Sequence, residues 1–162
     1  MYRKYFVVCE DLEGFPCREE FIEKAWGDLP VSFFQDDEFL SKASYLDVKV
    51  NKWEVSQEWS TLQEVEPCIR IDFLRDERLA EFCREVRLSG CEVSSAEVVL
   101  VLELDGEGME LDELLLASMV RVLSETYQCY ALDELPMLLD GKFFLVVPSR
   151  EDLMAALLIK GG

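Results

Sequence analysis

The chain has 162 residues, with 34 Asp and Glu against 16 Lys and Arg and no histidine, for a net charge of -18. That balance repels phosphate backbones and anionic lipid surfaces and attracts basic ones, so neither direct nucleic-acid binding nor membrane-surface binding is expected. Without histidine, Ser-His-Asp and Cys-His catalysis and mixed Cys/His zinc sites are excluded, which leaves carboxylate, Lys, Tyr or Cys chemistry.

Residues 2–9 (YRKYFVVC) form a β-branched and aromatic run that predicts a strand. Pro16 suits a first helical position, Phe21, Ile22, Ala25 and Trp26 form one apolar face, and Gly27 suits the stop. Residues 28–44 read as a long loop with a helical turn near Phe39. In the next strand, 45–55, Leu46, Val48 and Val50 share one parity, whereas Trp53 and Val55 take the other. A period of two cannot change parity without an extra residue, so a bulge is expected near Asn51-Lys52. Residues 56–67 are polar and poorly patterned. Ile69, Ile71 and Phe73 then alternate with Arg70 and Asp72 as a half-buried strand.

Asp76 can cap a helix whose stripe is Leu79, Phe82, Cys83 and Val86, with Gly90 as its stop. Residues 96–104 (AEVVLVLEL) are the most apolar strand and should lie centrally. A helix follows over 110–126, then a short strand over 127–132, a turn over 136–141 and a strand over 142–147 (KFFLVV). Ser149 to Asp152 matches a capping box before a closing helix. The expected fold is a single α+β domain over 1–162, with helices packed on a mostly antiparallel mixed sheet. The first six elements resemble the βαββαβ order of ferredoxin-like folds, and an αββα extension follows.

Half the residues are apolar, among them 10 Phe, 5 Tyr and 3 Trp, which is enough to build a core and argues against a disordered acidic chain. No uncharged run approaches the ~18 residues that span a bilayer, and the apolar run ending at Cys9 is too short for a signal segment. A cytoplasmic location is expected. The six cysteines are dispersed and include no C-x-x-C, so reduced, buried thiols are expected. Cys17, at a helix start, is the one placed for reactivity.

No phosphate-cradling loop, Ser-Lys pair or cofactor motif occurs. Glu103 and Asp105 share one face of a strand end, with Glu107, Glu110 and Asp112 nearby, but Asp105-x-Glu107-x-Met109 breaks the EF-hand spacing. No metal is therefore expected, and these acids suit the dipole at a helix start.

The charge is concentrated in two stretches: ten acids against two bases over 10–38, and ten against one over 103–140. The first carries Val31 to Phe39, where Phe33 and Phe34 precede Asp36, Asp37 and Glu38. Two readings apply. Either the phenylalanines pin the loop to the core, or they are interface anchors ringed by steering charge. The second stretch opens the 110–126 helix with Glu107, Glu110, Asp112 and Glu113. That helix is apolar over most of its circumference, so it must be buried beneath the chain's C-terminal segment or covered by a homodimer or partner contact.

The leading functional expectation is a non-enzymatic acidic binding protein and inhibitor, an immunity-type protein that neutralises a basic, nuclease-like toxin. Its partner-binding residues would be Phe33, Phe34, Asp36, Asp37, Glu38, Glu107, Glu110, Asp112 and Glu113. The alternatives are an acidic secretion chaperone or DNA mimic, or a carboxylate- and Mg-dependent enzyme built on Glu103 and Asp105.

Overall fold

A computed structural model describes residues 1–87 and 96–158. Within them lie seven strands: β1 (Lys4–Cys9), β2 (Val31–Gln35), β3 (Tyr45–Val50), β4 (Cys68–Leu74), β5 (Val98–Asp105), β6 (Gln128–Leu132) and β7 (Pro136–Leu138). The helices are α1 (Arg18–Trp26), α2 (Lys52–Val55), α3 (Trp59–Leu62), α4 (Asp76–Arg87), α5 (Glu110–Ser124), α6 (Gly141–Leu145) and α7 (Arg150–Leu157), with one 3-10 turn at Leu40–Lys42. The strands form a single sheet in the order β2-β3-β4-β5-β1-β6-β7, antiparallel at every pairing. The α+β class expected from the sequence is therefore present.

The ferredoxin-like arrangement is not. That arrangement splits its βαβ units, so that β1 lies parallel to the strand preceding the second helix. Here β5 stands between β1 and β4 and pairs antiparallel with both. The elements of the expected βαββαβ start are present as β1, α1, β3, β4, α4 and β5, with β2 inserted after α1, but their order across the sheet was not legible.

The sheet has two unequal faces. Tyr5, Val7, Ile71, Phe73, Leu100, Leu102, Cys129 and their neighbours point toward α1, α5 and α7 in the main core. On the other face Phe6, Val99 and Val101 meet Leu74, Phe82 and Val86, the last two from α4, in a smaller cluster. Because β5 is covered on both sides, Val98 to Leu102 are all buried, which accounts for a run of apolar residues without alternation.

The apolar circumference of α5 is satisfied within the chain. Leu115, Leu116, Ala117, Met119, Val120 and Leu123 are buried against the sheet, α1 and α7, each large side chain contributing roughly 1.5–3 kcal/mol of burial. Small residues let α1 approach closely: the Ser118 hydroxyl donates to the Ala25 carbonyl at 2.7 Å, and the Trp26 indole N–H donates to Leu115 O at 2.9 Å. Arg121 donates to the carbonyls of Val147 and Pro148, closing the far side. The expected homodimer contact through 110–126 loses its basis, since the surface it required is occupied by the protein's own α1 and α7.

Several local expectations are corrected. The parity change at Asn51-Lys52 is real, but β3 simply ends at Val50 and a helical turn begins, with Glu54 N–H donating to Asn51 O at 3.0 Å. Trp53 is consequently 55% exposed and Trp59 is the buried one, its indole N–H held by Leu157 O at 2.9 Å. The 142–147 run is no strand. Asp140 accepts from the N–H groups of Lys142 and Phe143 and starts α6, while Leu145 and Val146 stay exposed. A six-residue apolar run has no period long enough to separate strand from helix. The segment read as the 28–44 loop contains β2, and 136–141 contains β7. The Ser149 cap stands, its hydroxyl accepting from Asp152 N–H at 3.1 Å. Gly90 and Cys91 lie outside the described residues.

Candidate partner-binding surface

The nine residues singled out in the sequence do not form one surface. Register places Val31 opposite Val50, Ile69 opposite Leu104 and Cys68 opposite Asp105, so Glu107 and Glu110 follow that end of the sheet. Gln35 lies opposite Leu46, so Asp36, Asp37 and Glu38 continue from the other end. The two acidic groups sit at opposite ends of the strands.

At the first end, β2 is an edge strand and its aromatics are out in solvent: Phe34 is 74% exposed and Phe33 43%. Phe39, just beyond, is 58% exposed. The reading in which these rings pin the loop to the core is therefore overturned. The loop is fixed by polar bonds instead. Asp36 accepts from Ser44 N–H at 2.7 Å, Asp37 accepts from Phe39 N–H at 2.9 Å, and the Gln35 amide donates to Asp37 O. Arg75 clamps the far side, donating to the carbonyls of Ser41 and Ala43. The bonds from Ser44 hold the Asp36 carboxyl below the usual carboxylate range, so it remains charged at neutral pH.

Arg18, at the start of α1, ties that helix to the edge. Its guanidinium lies 3.4 Å from the Phe33 ring centroid and donates to Gln35 Oε1 at 2.9 Å. Arg18, Phe33, Asp36, Asp37 and Glu38 line a shallow depression of about 410 Å³. Together they present one aromatic ring, already stacked against a guanidinium, beside carboxylates that would accept further cations.

The second acidic group is put to a different use. Asp112 is 3% exposed and takes no part in any surface. Its carboxylate pairs with Lys52, itself 1% exposed, and accepts from Gln63 Nε2 at 3.0 Å and Met109 N–H at 2.7 Å. Lys52 also donates to Gln63 and lies 5.2 Å from the Trp59 ring centroid. This buried pair locks the α2–α3 segment to the start of α5. Sequence reading missed it, although the parity slip at Asn51-Lys52 was its trace. Glu107 and Glu110 are exposed and Glu113 is half-buried.

Glu107 and Asp105 border a depression of about 660 Å³ that Glu64 and Glu66 also line. Glu103 points away toward Lys4, at 3.8 Å. Among the described residues no three His, Cys, Asp or Glu side chains are grouped to hold a metal ion, and no helix is long and apolar enough to cross a membrane. No disulfide joins the described cysteines. Burial pushes the Cys9 and Cys129 thiols up to about 12, while Cys17 is exposed. Comparison with known proteins gives no match among family models, curated proteins or solved structures.

Proposed function

We propose that this chain is a non-enzymatic acidic binding protein that captures a basic protein partner through β2 and the loop after it. The specific form is immunity-type neutralisation of a nuclease-like toxin in the cytoplasm. One observation carries the reading: Phe33 and Phe34 on the edge strand and Phe39 in the loop after it stand exposed beside Asp36, Asp37 and Glu38, where core packing would have buried them. Exposed aromatics supply anchoring area, and the fixed carboxylates supply steering and complementarity to a site built for phosphate. Of the expected binding residues, Asp112 is withdrawn because it is buried, and Glu107, Glu110 and Glu113 are secondary because they lie at the other end of the sheet.

The test is capture of purified basic nuclease domains by the immobilised protein. Affinity should fall about tenfold or more as salt rises from roughly 50 to 300 mM. Phe34→Ala combined with Glu38→Lys should abolish most of it while leaving the Asp36 and Asp37 loop bonds in place. Retention of nothing at low salt, or unchanged affinity in the double variant, would overturn the proposal. The carboxylate-enzyme alternative makes a separate demand: calorimetry with Mg, Mn or Ca should find a tight site that is lost in Asp105→Asn.

A further inference from the structure

The outer edge of β2 is open, and the ladder identifies which groups it offers. Asn51 N–H donates to Pro30 O at 2.8 Å, so residues 30 and 51 form a hydrogen-bonded pair of the antiparallel ladder. Such pairs alternate, which assigns the β3-facing bonds to Ser32 and Phe34. On the β4 side, Phe73 N–H donates to Ser44 O at 2.9 Å, which turns Leu46 and Val48 toward β4 and agrees with this assignment. The main-chain N–H and C=O groups of Val31, Phe33 and Gln35 therefore point outward. None of them has a hydrogen-bond partner among the described residues.

Edge strands are commonly blunted by Pro, Lys, bulges or brevity. The opposite edge follows that rule: β7 is 3 residues long and begins with Pro136. By contrast β2 runs 5 residues, Val-Ser-Phe-Phe-Gln, with none of these devices. A second copy is a poor occupant, because self-pairing would bring together two stretches that each carry ten acids against two bases. The same charge favours a cationic strand.

The geometry points to β-strand addition: an extended segment of the basic partner pairs with the outer edge of β2, bonding Val31, Phe33 and Gln35. Its alternate Lys or Arg side chains reach the depression lined by Phe33, Glu19, Asp37 and Glu38, while the intervening side chains cover Phe34 on the other face. This inference rests on the binding function proposed above and names its mode. Main-chain bonds supply affinity that does not depend on the partner's sequence, while alternate side chains select for charge.

The probe is a capped, alternating Lys-Val decapeptide, compared with an analogue of equal charge that is N-methylated along its pairing edge. Both are titrated against the full chain, and amide hydrogen exchange is followed with and without peptide. The expected result is binding at least about tenfold weaker for the N-methylated analogue, with new protection confined to the amides of Val31, Phe33 and Gln35. Phe33→Pro removes an outward donor without breaking the β3 ladder, so it should bind the peptide several-fold more weakly than Phe33→Ala.

Equal affinity for both peptides, or protection elsewhere, overturns strand addition and leaves electrostatic capture standing. Dimerisation with the same amides protected before any peptide is added also overturns it, in favour of a second copy. If neither peptide binds while a basic nuclease domain is captured, the edge alone fails. If nothing basic is captured, the function and the mode fall together.

Discussion

Residues 10–38 and 103–140 carry nearly the same excess of acids, ten against two bases and ten against one, yet the fold treats them in opposite ways. The first stretch ends on an open edge strand, with its phenylalanines exposed and its carboxylates organised by loop bonds. The second contains the long helix α5, buried by the sheet, α1 and α7, and turns one of its acids inward to neutralise Lys52. Equal composition thus yields one surface suited to recognition and one structural joint. The difference lies in what surrounds each carboxylate, namely solvent and aromatics in one case and a buried ammonium in the other.

The sharpest way to break this comparison is through stability. Asp112→Ala leaves Lys52 buried without its counter-charge and should cost about 3–5 kcal/mol in urea unfolding, whereas the double variant Lys52→Met/Asp112→Leu should recover most of that loss. Leu116→Ala in α5 should cost about 2–5 kcal/mol through the cavity it leaves. By contrast, Phe34→Ser should change stability by less than about 0.5 kcal/mol. A loss comparable to that of Leu116→Ala would mean that Phe34 belongs to the core after all.

A smaller effect concerns alkaline pH. Burial raises the Cys9 and Cys129 thiols from 9.0 to about 12, and it raises Tyr5 in the same direction. The folded state therefore holds these protons more tightly than the unfolded chain does. Their contribution is complete below pH 9 and is lost as the pH climbs from about 9 toward about 12. The urea midpoint should fall across that window, and Cys9→Ala/Cys129→Ala should flatten the fall. Among the described cysteines, thiol-directed reagents should modify the exposed Cys17 first.

The sequence disclosed elements whose pattern is local. Ile69 to Phe73 alternates and forms β4, the Leu79–Phe82–Cys83–Val86 stripe lies on α4, and the apolar 96–104 run became the central strand. It failed where a distant partner decides the outcome. The neighbour that β1 would choose is not encoded in spacing, and neither is the α1 contact that covers α5 beside the expected C-terminal helix. Lys52 reads as an ordinary exposed lysine until Asp112 is brought beside it across the fold. Trp53 is exposed and Trp59 buried for the same reason, since the helical turn at Lys52–Val55 forms around that buried pair. In the candidate surface, Phe33 to Glu38 was legible as an aromatic and acidic cluster, but its exposure followed only from β2 being an edge.

The most direct test sets the two acidic stretches against each other. Phe34→Ala/Glu38→Lys and Glu107→Lys/Glu110→Lys would be compared for affinity to one basic nuclease domain at about 0.15 M salt, where the screening length of ~8 Å isolates local charge. The first variant should bind at least about tenfold more weakly and the second within about twofold of the unaltered protein. Equal losses in the two variants, or a greater loss in the second, would contradict the assignment of recognition to the β2 edge.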